Sequence, residues 1–246
     1  MLLMLTDLTA LDPLGWEALK EALNQRIIID RVRFVPSRKN RVWIIETNVR
    51  PVVVKRFLTG KCGNEFELLL RARKALLDAP LPLAKSGDYL VSEFVPGETC
   101  DVLINHMFSA AASEGIGKWL ARFHTGLMEG GRCWIMSDAV PANFVLCGED
   151  IYGLDLEDSV VGEPLEDVGR MAASMLDTDP LFTPLKFDLC RRMIRSYERQ
   201  SQSDIVEDVR PFISKHLRLD AKNRPLFRRT LIEAAKSLER GWPILA

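Results

Sequence analysis

The sequence predicts an α+β chain in two lobes: a small antiparallel β-sheet carrying one helix, then a larger, mainly helical part. Three observations predict it. Short β-rich runs separated by polar turns fill residues ~25–93. Helical periodicity dominates after Pro96-Gly97. One β-hairpin signature interrupts that helical half, between Phe144 and Leu154. The expected division is 1–95 and 96–246.

The elements follow in order. Asp12-Pro13 places an N-cap residue before a proline at the first helical position, and Trp16, Leu19 and Leu23 recur at helical spacing. From Arg26 the texture changes to strands: Ile27–Val35, Val42–Ile45 and Pro51–Phe57, separated by Ser37-Arg-Lys-Asn40 and Thr47-Asn-Val-Arg50. This reads as a three-stranded antiparallel meander. Residues 64–77 are strong helix formers, with Glu65, Leu69, Ala72 and Leu76 on one stripe. A second strand pair is expected around Leu83-Ala84 and Tyr89–Val95. Further helices are expected over 113–128, Asp167–Leu176, 186–200 and Pro225–Arg240.

Composition sets outer bounds. Of 246 residues, 47% are hydrophobic and 27% charged, as in an ordinary globular protein. No apolar run approaches the ~20 residues of a membrane span, and Met1–Leu5 is cut off by Thr6-Asp7, so neither a leader nor an anchor is expected. Five cysteines with no CxxC spacing point to inert thiols in a reducing cytoplasm. The net charge of −1 hides an uneven distribution of +4 over 1–95, −11 over 96–185 and +6 over 186–246. Arg224, Arg228 and Arg229 near the end read as a solvated face, and nucleic acid is not an expected partner.

The chemistry concentrates at the hairpin. Phe144-Val-Leu146 and Ile151-Tyr-Gly-Leu154 flank the polar turn Cys147-Gly-Glu-Asp150. With residues whose numbers sum to 298 taken as facing each other across the hairpin, Asn143 and Asp155 are opposite one another, and directly opposed residues project to the same face. An amide oxygen beside a carboxylate is a hard-oxygen pair suited to Mg²⁺. Asp138, on the loop feeding the hairpin, is placed to accept a hydroxyl proton. On the third strand, alternation puts Val53, Lys55 and Phe57 on one face, so Lys55 points toward a covered surface that should supply an anion. His124 falls on the apolar face of its helix and reads as a core histidine.

The segments Ser137-Asp138-Ala-Val-Pro-Ala-Asn143-Phe-Val-Leu146 and Gly153-Leu-Asp155-Leu-Glu-Asp158-Ser159 resemble the catalytic loop and metal-binding motif of the protein-kinase-like superfamily. The likeness is greatest to the aminoglycoside phosphotransferase and choline kinase branch. It is as great to the small atypical kinases, including lipopolysaccharide-core kinases and the kinase that partners the tRNA threonylcarbamoylation complex. The resemblance implies Asp138 as catalytic base, Asn143 and Asp155 as metal ligands, and Asp167 in Gly162-Glu-Pro-Leu-Glu-Asp167-Val-Gly169 as the brace of the catalytic loop. It implies Lys55 as the phosphate-contacting lysine, paired with Glu65, or failing that Glu67, and a hinge at Tyr89–Gly97 whose backbone at Glu93 and Val95 meets adenine.

The activity so implied is transfer of the γ-phosphoryl group of ATP, with Mg²⁺, to a hydroxyl of a small-molecule or lipid-sugar acceptor. Two departures from the pattern keep alternatives open. The first loop, Ser37–Asn40, has no glycine, and Met136-Ser137 stand where the families show a histidine followed by a small residue. The rivals are a catalytically inactive module that binds nucleotide or a partner protein, and an atypical serine/threonine protein kinase.

Overall fold

The structure, a computed structural model, describes residues 11–24 and 26–242. Met1–Leu5 lies outside them. The chain divides into two compact units: one runs to Pro96 and also takes in Asp155–Asp158, and the other is Gly97–Leu154 with everything from Ser159 onward.

The first unit opens with α1 (Pro13–Leu23). Asp12 Oδ1 accepts the N–H groups of Leu14 at 3.1 Å and Gly15 at 3.2 Å, satisfying donors that a helix start leaves unpaired. Strands β1 (Ile29–Val35), β2 (Arg41–Thr47) and β3 (Val52–Arg56) form the expected meander. Helix α2 (Cys62–Lys74) follows, then β4 (Pro82–Ser86) and β5 (Tyr89–Glu93). The sheet order is β1-β2-β3-β5-β4, and every pairing is antiparallel.

One face of this sheet carries the core: Trp43, Ile45, Val52, Val54 and Val91 pack with Ala18, Leu19 and Leu23 of α1. Side chains alternate along a strand, so burying Val52 and Val54 there sends Val53 and Lys55 to the opposite face. On α2, Glu65, Leu68, Leu69 and Ala72 are buried. The helix stops at Lys74, three residues sooner than its composition suggests, and Leu76 is 81% exposed with a left-handed backbone instead of continuing the buried stripe.

The second unit contains β6 (Glu98–Thr99), α3 (Cys100–Asn105), α4 (Ala110–Gly126), β7 (Met128–Glu129), β8 (Arg132–Ile135), β9 (Phe144–Cys147), β10 (Asp150–Gly153), β11 (Val160–Gly162), α5 (Pro164–Asp177), α6 (Pro184–Ser201), α7 (Arg210–Asn223) and α8 (Arg228–Arg240). Two three-stranded sheets, β10-β9-β6 and β11-β8-β7, sit among the helices. Ser109 Oγ caps α4 by accepting the Ala112 N–H at 3.2 Å, and Ile116, Trp119, Leu120, Phe123 and His124 form its buried face.

Helices α4 and α6 approach closely at Gly117, where a Cβ would lie 2.1 Å from the Met193 carbonyl oxygen. Gly117→Ala must push backbone apart, and about 1–3 kcal/mol of stability should be lost, read as a lowered denaturation midpoint. Gly153 is equally confined: a Cβ there would come 2.1 Å from the ring of Trp119, which itself stacks on Phe123 and meets Phe144 edge-on.

The hairpin forms, but its register differs from the expected one by a residue. Phe144 pairs with Gly153 and Cys147 with Asp150, leaving only Gly148 and Glu149 in the turn, with Gly148 at φ +64°. A two-residue turn with a left-handed glycine matches strand twist, and it centres the hairpin between Gly148 and Glu149, whereas the expected pairing needs a turn centred on Glu149 itself. Asn143 therefore falls opposite Leu154, whose N–H donates to the Asn143 carbonyl at 2.8 Å, and Asp155 is the next residue along. The premise that Asn143 and Asp155 are directly opposed partners is overturned.

Candidate active site

In the first unit the buried ammonium of Lys55 gathers acids. Its Nζ donates to Glu65 Oε2 at 2.6 Å and to Asp155 Oδ1, and it stands 3.5 Å from Glu157 Oε2. The side chain of Lys55 is 11% exposed and that of Glu157 1%. Glu67, the other glutamate considered for this partnership, is exposed. Burial alone would lower the Lys55 pKa, but Glu65 and Asp155 outweigh it and raise it above the ordinary value. Burial pushes the Glu65 carboxyl up to about 7 against the opposing charge of Lys55, with Asp155 and Glu157 adding to the rise. Three carboxylates around one ammonium leave an excess of negative charge, and that excess favours a further cation.

The donor set suits a divalent ion. Glu65, Asp155 and Glu157 each offer an oxygen within 4.8 Å of the others'. Glu157 Oε1 is buried without a hydrogen-bond partner, while its Oε2 accepts the Asn40 side-chain amide at 2.7 Å. An orphaned buried carboxylate oxygen is costly unless something cationic meets it. Sequence reasoning missed Glu157 and Asn40; the only available signal was a second acid two residues after Asp155.

Asp155 has a left-handed backbone, φ 58°, uncommon outside glycine and tolerated best by Asn and Asp. At the end of the sheet, the Glu93 N–H already donates to the Leu81 carbonyl at 2.9 Å, and its side chain accepts the Leu81 N–H at 3.1 Å. Val95 lies two residues further on, half-buried and beyond the strand.

In the second unit, a buried carboxylate organises the loop that carries Asp138. Asp167, on α5 and fully buried, accepts the Met136 N–H at 2.6 Å through Oδ2 and the Ser137 N–H at 2.9 Å through Oδ1. His124 Nε2 lies 3.1 Å from the same Oδ2, and its Nδ1 lies 3.0 Å from the Tyr197 hydroxyl. A carboxylate only accepts, so Nε2 donates to Asp167, and Nδ1 shares a hydrogen bond with the Tyr197 hydroxyl. His124 is thus a core histidine with both ring nitrogens satisfied. Ser137 is left-handed, φ 68°, immediately before Asp138. Strained backbone of this kind persists only where surrounding bonds over-determine it, and the two Asp167 bonds do so here.

The Asp138 side chain is 49% exposed, and Oδ1 lies 3.7 Å from Arg170 Nε. Arg170 in turn donates from Nη1 to Asp220 Oδ2 at 2.7 Å. The Asn143 side-chain nitrogen donates to the Asp138 carbonyl at 2.9 Å, which turns its amide oxygen away from that bond. Nothing in the sequence pattern pointed to Arg170. Arg224, read as part of a solvated basic face, instead donates to the Asp177 carbonyl at 2.6 Å and to its carboxylate at 2.9 Å.

No family model and no curated protein sequence matches the chain. Solved structures do. The amicoumacin kinase hAmiN, in complex with AMP-PNP, Ca²⁺ and amicoumacin, superposes with a TM-score of 0.69 at 10% identity, covering 96% of this chain and 97% of that one. The ADP-bound aminoglycoside phosphotransferase APH(2'')-Ib gives 0.64 at 14% identity, with coverages of 93% and 97%. Choline kinase LicA from Streptococcus pneumoniae gives 0.63 at 13% identity, with coverages of 91% and 98%. Agreement across almost the full length of each chain, at identities this low, is agreement of fold. In fold, the chain is similar to aminoglycoside phosphotransferases and choline kinases.

Proposed function

We propose that this protein is an ATP- and Mg²⁺-dependent phosphotransferase acting on a hydroxyl of a small molecule. The observation that carries the reading is the shared ammonium of Lys55, bonded at once to a helix carboxylate, Glu65, and to Asp155 beyond the hairpin. A lysine so held is fixed in direction and stays charged, as a contact to phosphate oxygens requires.

In this reading Lys55 binds the polyphosphate, Glu65 orients Lys55, and the backbone at Glu93 and Val95 meets the adenine. Asp155 and Asn143 would hold the cation, with Glu157 as an additional carboxylate. When bound, the cation supplies charge neutralisation at the phosphate oxygens. Asp138 takes the proton of the acceptor hydroxyl as its oxygen bonds to the γ-phosphorus and the bond from that phosphorus to the bridging oxygen of ADP breaks. Asp167 positions Asp138 by holding the two residues before it. The proposed acceptor is a small molecule or lipid-linked sugar, since the run from Asp155 to Asp167 contains only β11 and the start of α5 and leaves little chain for a long activation segment. The neighbouring structures include complexes with streptomycin and gentamicin, which supports a small-molecule acceptor.

No described helix is long and apolar enough to cross a membrane. The five cysteines are unpaired, which supports the proposed cytoplasmic setting. The glycine-free first loop and the replacement of the loop histidine by Met136-Ser137 favour one rival, a nucleotide-binding module without turnover.

The test combines ATP affinity, measured with and without Mg²⁺, and ADP release across a panel of hydroxylated acceptors. The wild-type protein should bind ATP more tightly with Mg²⁺ and release ADP with at least one acceptor. In Asp155→Asn the Mg²⁺ enhancement should fall by about tenfold, the loss of one charge-assisted contact. Tight Mg²⁺–ATP binding with no ADP release from any acceptor would favour the module, and no ATP binding at all would end both readings.

A further inference from the structure

The loop between β1 and β2 has no glycine from Val35 to Arg41, so it lacks the residues that let backbone N–H groups approach phosphate. Its side chains are arranged instead. Lys39 reaches Asp158 Oδ2 at 2.5 Å, and Lys61, immediately before α2, binds Asp158 Oδ1. Two ammonium groups from separate parts of the first unit therefore close on the two oxygens of one carboxylate. Burial works to raise the pKa of Asp158, but hydrogen bonds and charge from the two lysines outweigh it and hold the carboxyl below its ordinary value.

The surroundings fix this arrangement to the Lys55 group. Asn40, the neighbour of Lys39, is buried; its amide donates to Glu157 Oε2 at 2.7 Å and its oxygen accepts the Leu58 N–H at 3.2 Å. Asn64, in the first turn of α2, donates to the Glu157 carbonyl at 2.8 Å. The loop and the start of α2 are both tied to Glu157-Asp158, two and three residues after Asp155.

Charge gives the reason. Around Lys55 stand Glu65, Asp155 and Glu157, so a polyphosphate entering there meets three carboxylates and one ammonium. One divalent cation brings that cluster to a net charge of zero, which does not balance the several charges of a nucleoside di- or triphosphate. The missing positive charge is present a few residues away, held by Asp158.

We propose that Lys39 and Lys61 are the polyphosphate-binding pair of this protein, and that Asp158 is an internal stand-in for the phosphate, which displaces it on binding. The inference rests on the phosphotransferase reading and adds to it the groups that replace a glycine-rich loop. It also gives Asp158 a sign: its carboxylate competes with the nucleotide.

Calorimetric titration of purified wild type, Lys39→Ala, Lys61→Ala and Asp158→Asn with Mg²⁺–ATP, Mg²⁺–ADP and AMP tests it, with thermal denaturation as the check that each variant is folded. Each lysine variant should bind ATP and ADP about tenfold more weakly and AMP nearly unchanged. Asp158→Asn should bind ATP and ADP several-fold more tightly, because the competitor has lost its charge. A structural ion pair that merely shapes the loop predicts the opposite sign for Asp158→Asn, with weakening in step with the lysine variants, and that result would overturn the proposal. So would unchanged ATP affinity in both lysine variants while the wild type binds. Failure of the wild type itself to bind ATP would instead overturn the phosphotransferase reading, and the lysine pair with it.

Discussion

Asp138→Asn should leave Mg²⁺–ATP affinity within about twofold of wild type while cutting kcat by on the order of 10²–10⁴-fold, the usual contribution of a general base. The substitution keeps the size and shape of the side chain and removes only its ability to take a proton. The backbone carbonyl that accepts from Asn143 is untouched, as are the two N–H bonds that fix the preceding residues. Arg170, 3.7 Å away, loses a charged neighbour but retains its 2.7 Å bond to Asp220. Steady-state kinetics with an identified acceptor, beside a binding titration with ATP, read the two effects separately. A variant with wild-type kcat would remove Asp138 from the chemistry.

Asp167→Ala should be the most damaging single change to the loop. It strips the acceptor from the Met136 and Ser137 N–H groups and from His124 Nε2, of which the Met136 and His124 donors are buried. A buried donor left unpaired costs about 1–3 kcal/mol, so the loss should be about 3–5 kcal/mol. For a chain of this size that corresponds to a fall in Tm of about 6–20 °C. With Ser137 no longer over-determined, its left-handed backbone should relax and displace Asp138, so kcat should fall as well. A shift in Tm under about 2 °C would show that the carboxylate does not hold the loop.

Much of the fold was open to reading because local patterns agreed with the tertiary structure. The meander, α1 with its Asp12-Pro13 start and the apolar face of α4 all follow from spacing. Helix α7 was passed over, although Ile213, Leu217 and Ala221 recur every four residues, because Arg210-Pro211 and the basic residues between them dilute the stripe. The short strands β7, β8 and β11 have too few residues to show alternation. In the candidate site, strand alternation turned Lys55 toward a covered surface and only the family resemblance paired it with Glu65, while the contacts of Glu157, Asn40 and Asp158 span about a hundred residues of sequence, which no local pattern encodes. The register slip at the hairpin is of another kind: a turn centred on Glu149 and one centred between Gly148 and Glu149 use the same polar run, and only backbone geometry separates them.

The Trp119 indole lying flat where a Cβ of Gly153 would be has a consequence for how this protein can drift. Position 153 admits hydrogen and nothing larger, because the ring is wedged between Phe123 and Phe144 and has nowhere to retreat. The aromatic plate thus works as a ruler, setting the depth at which the ribbon lies on α4 and hence the height at which Asn143 and Leu154 emerge from it. Residues that never touch a ligand would then be as intolerant of exchange as those that do.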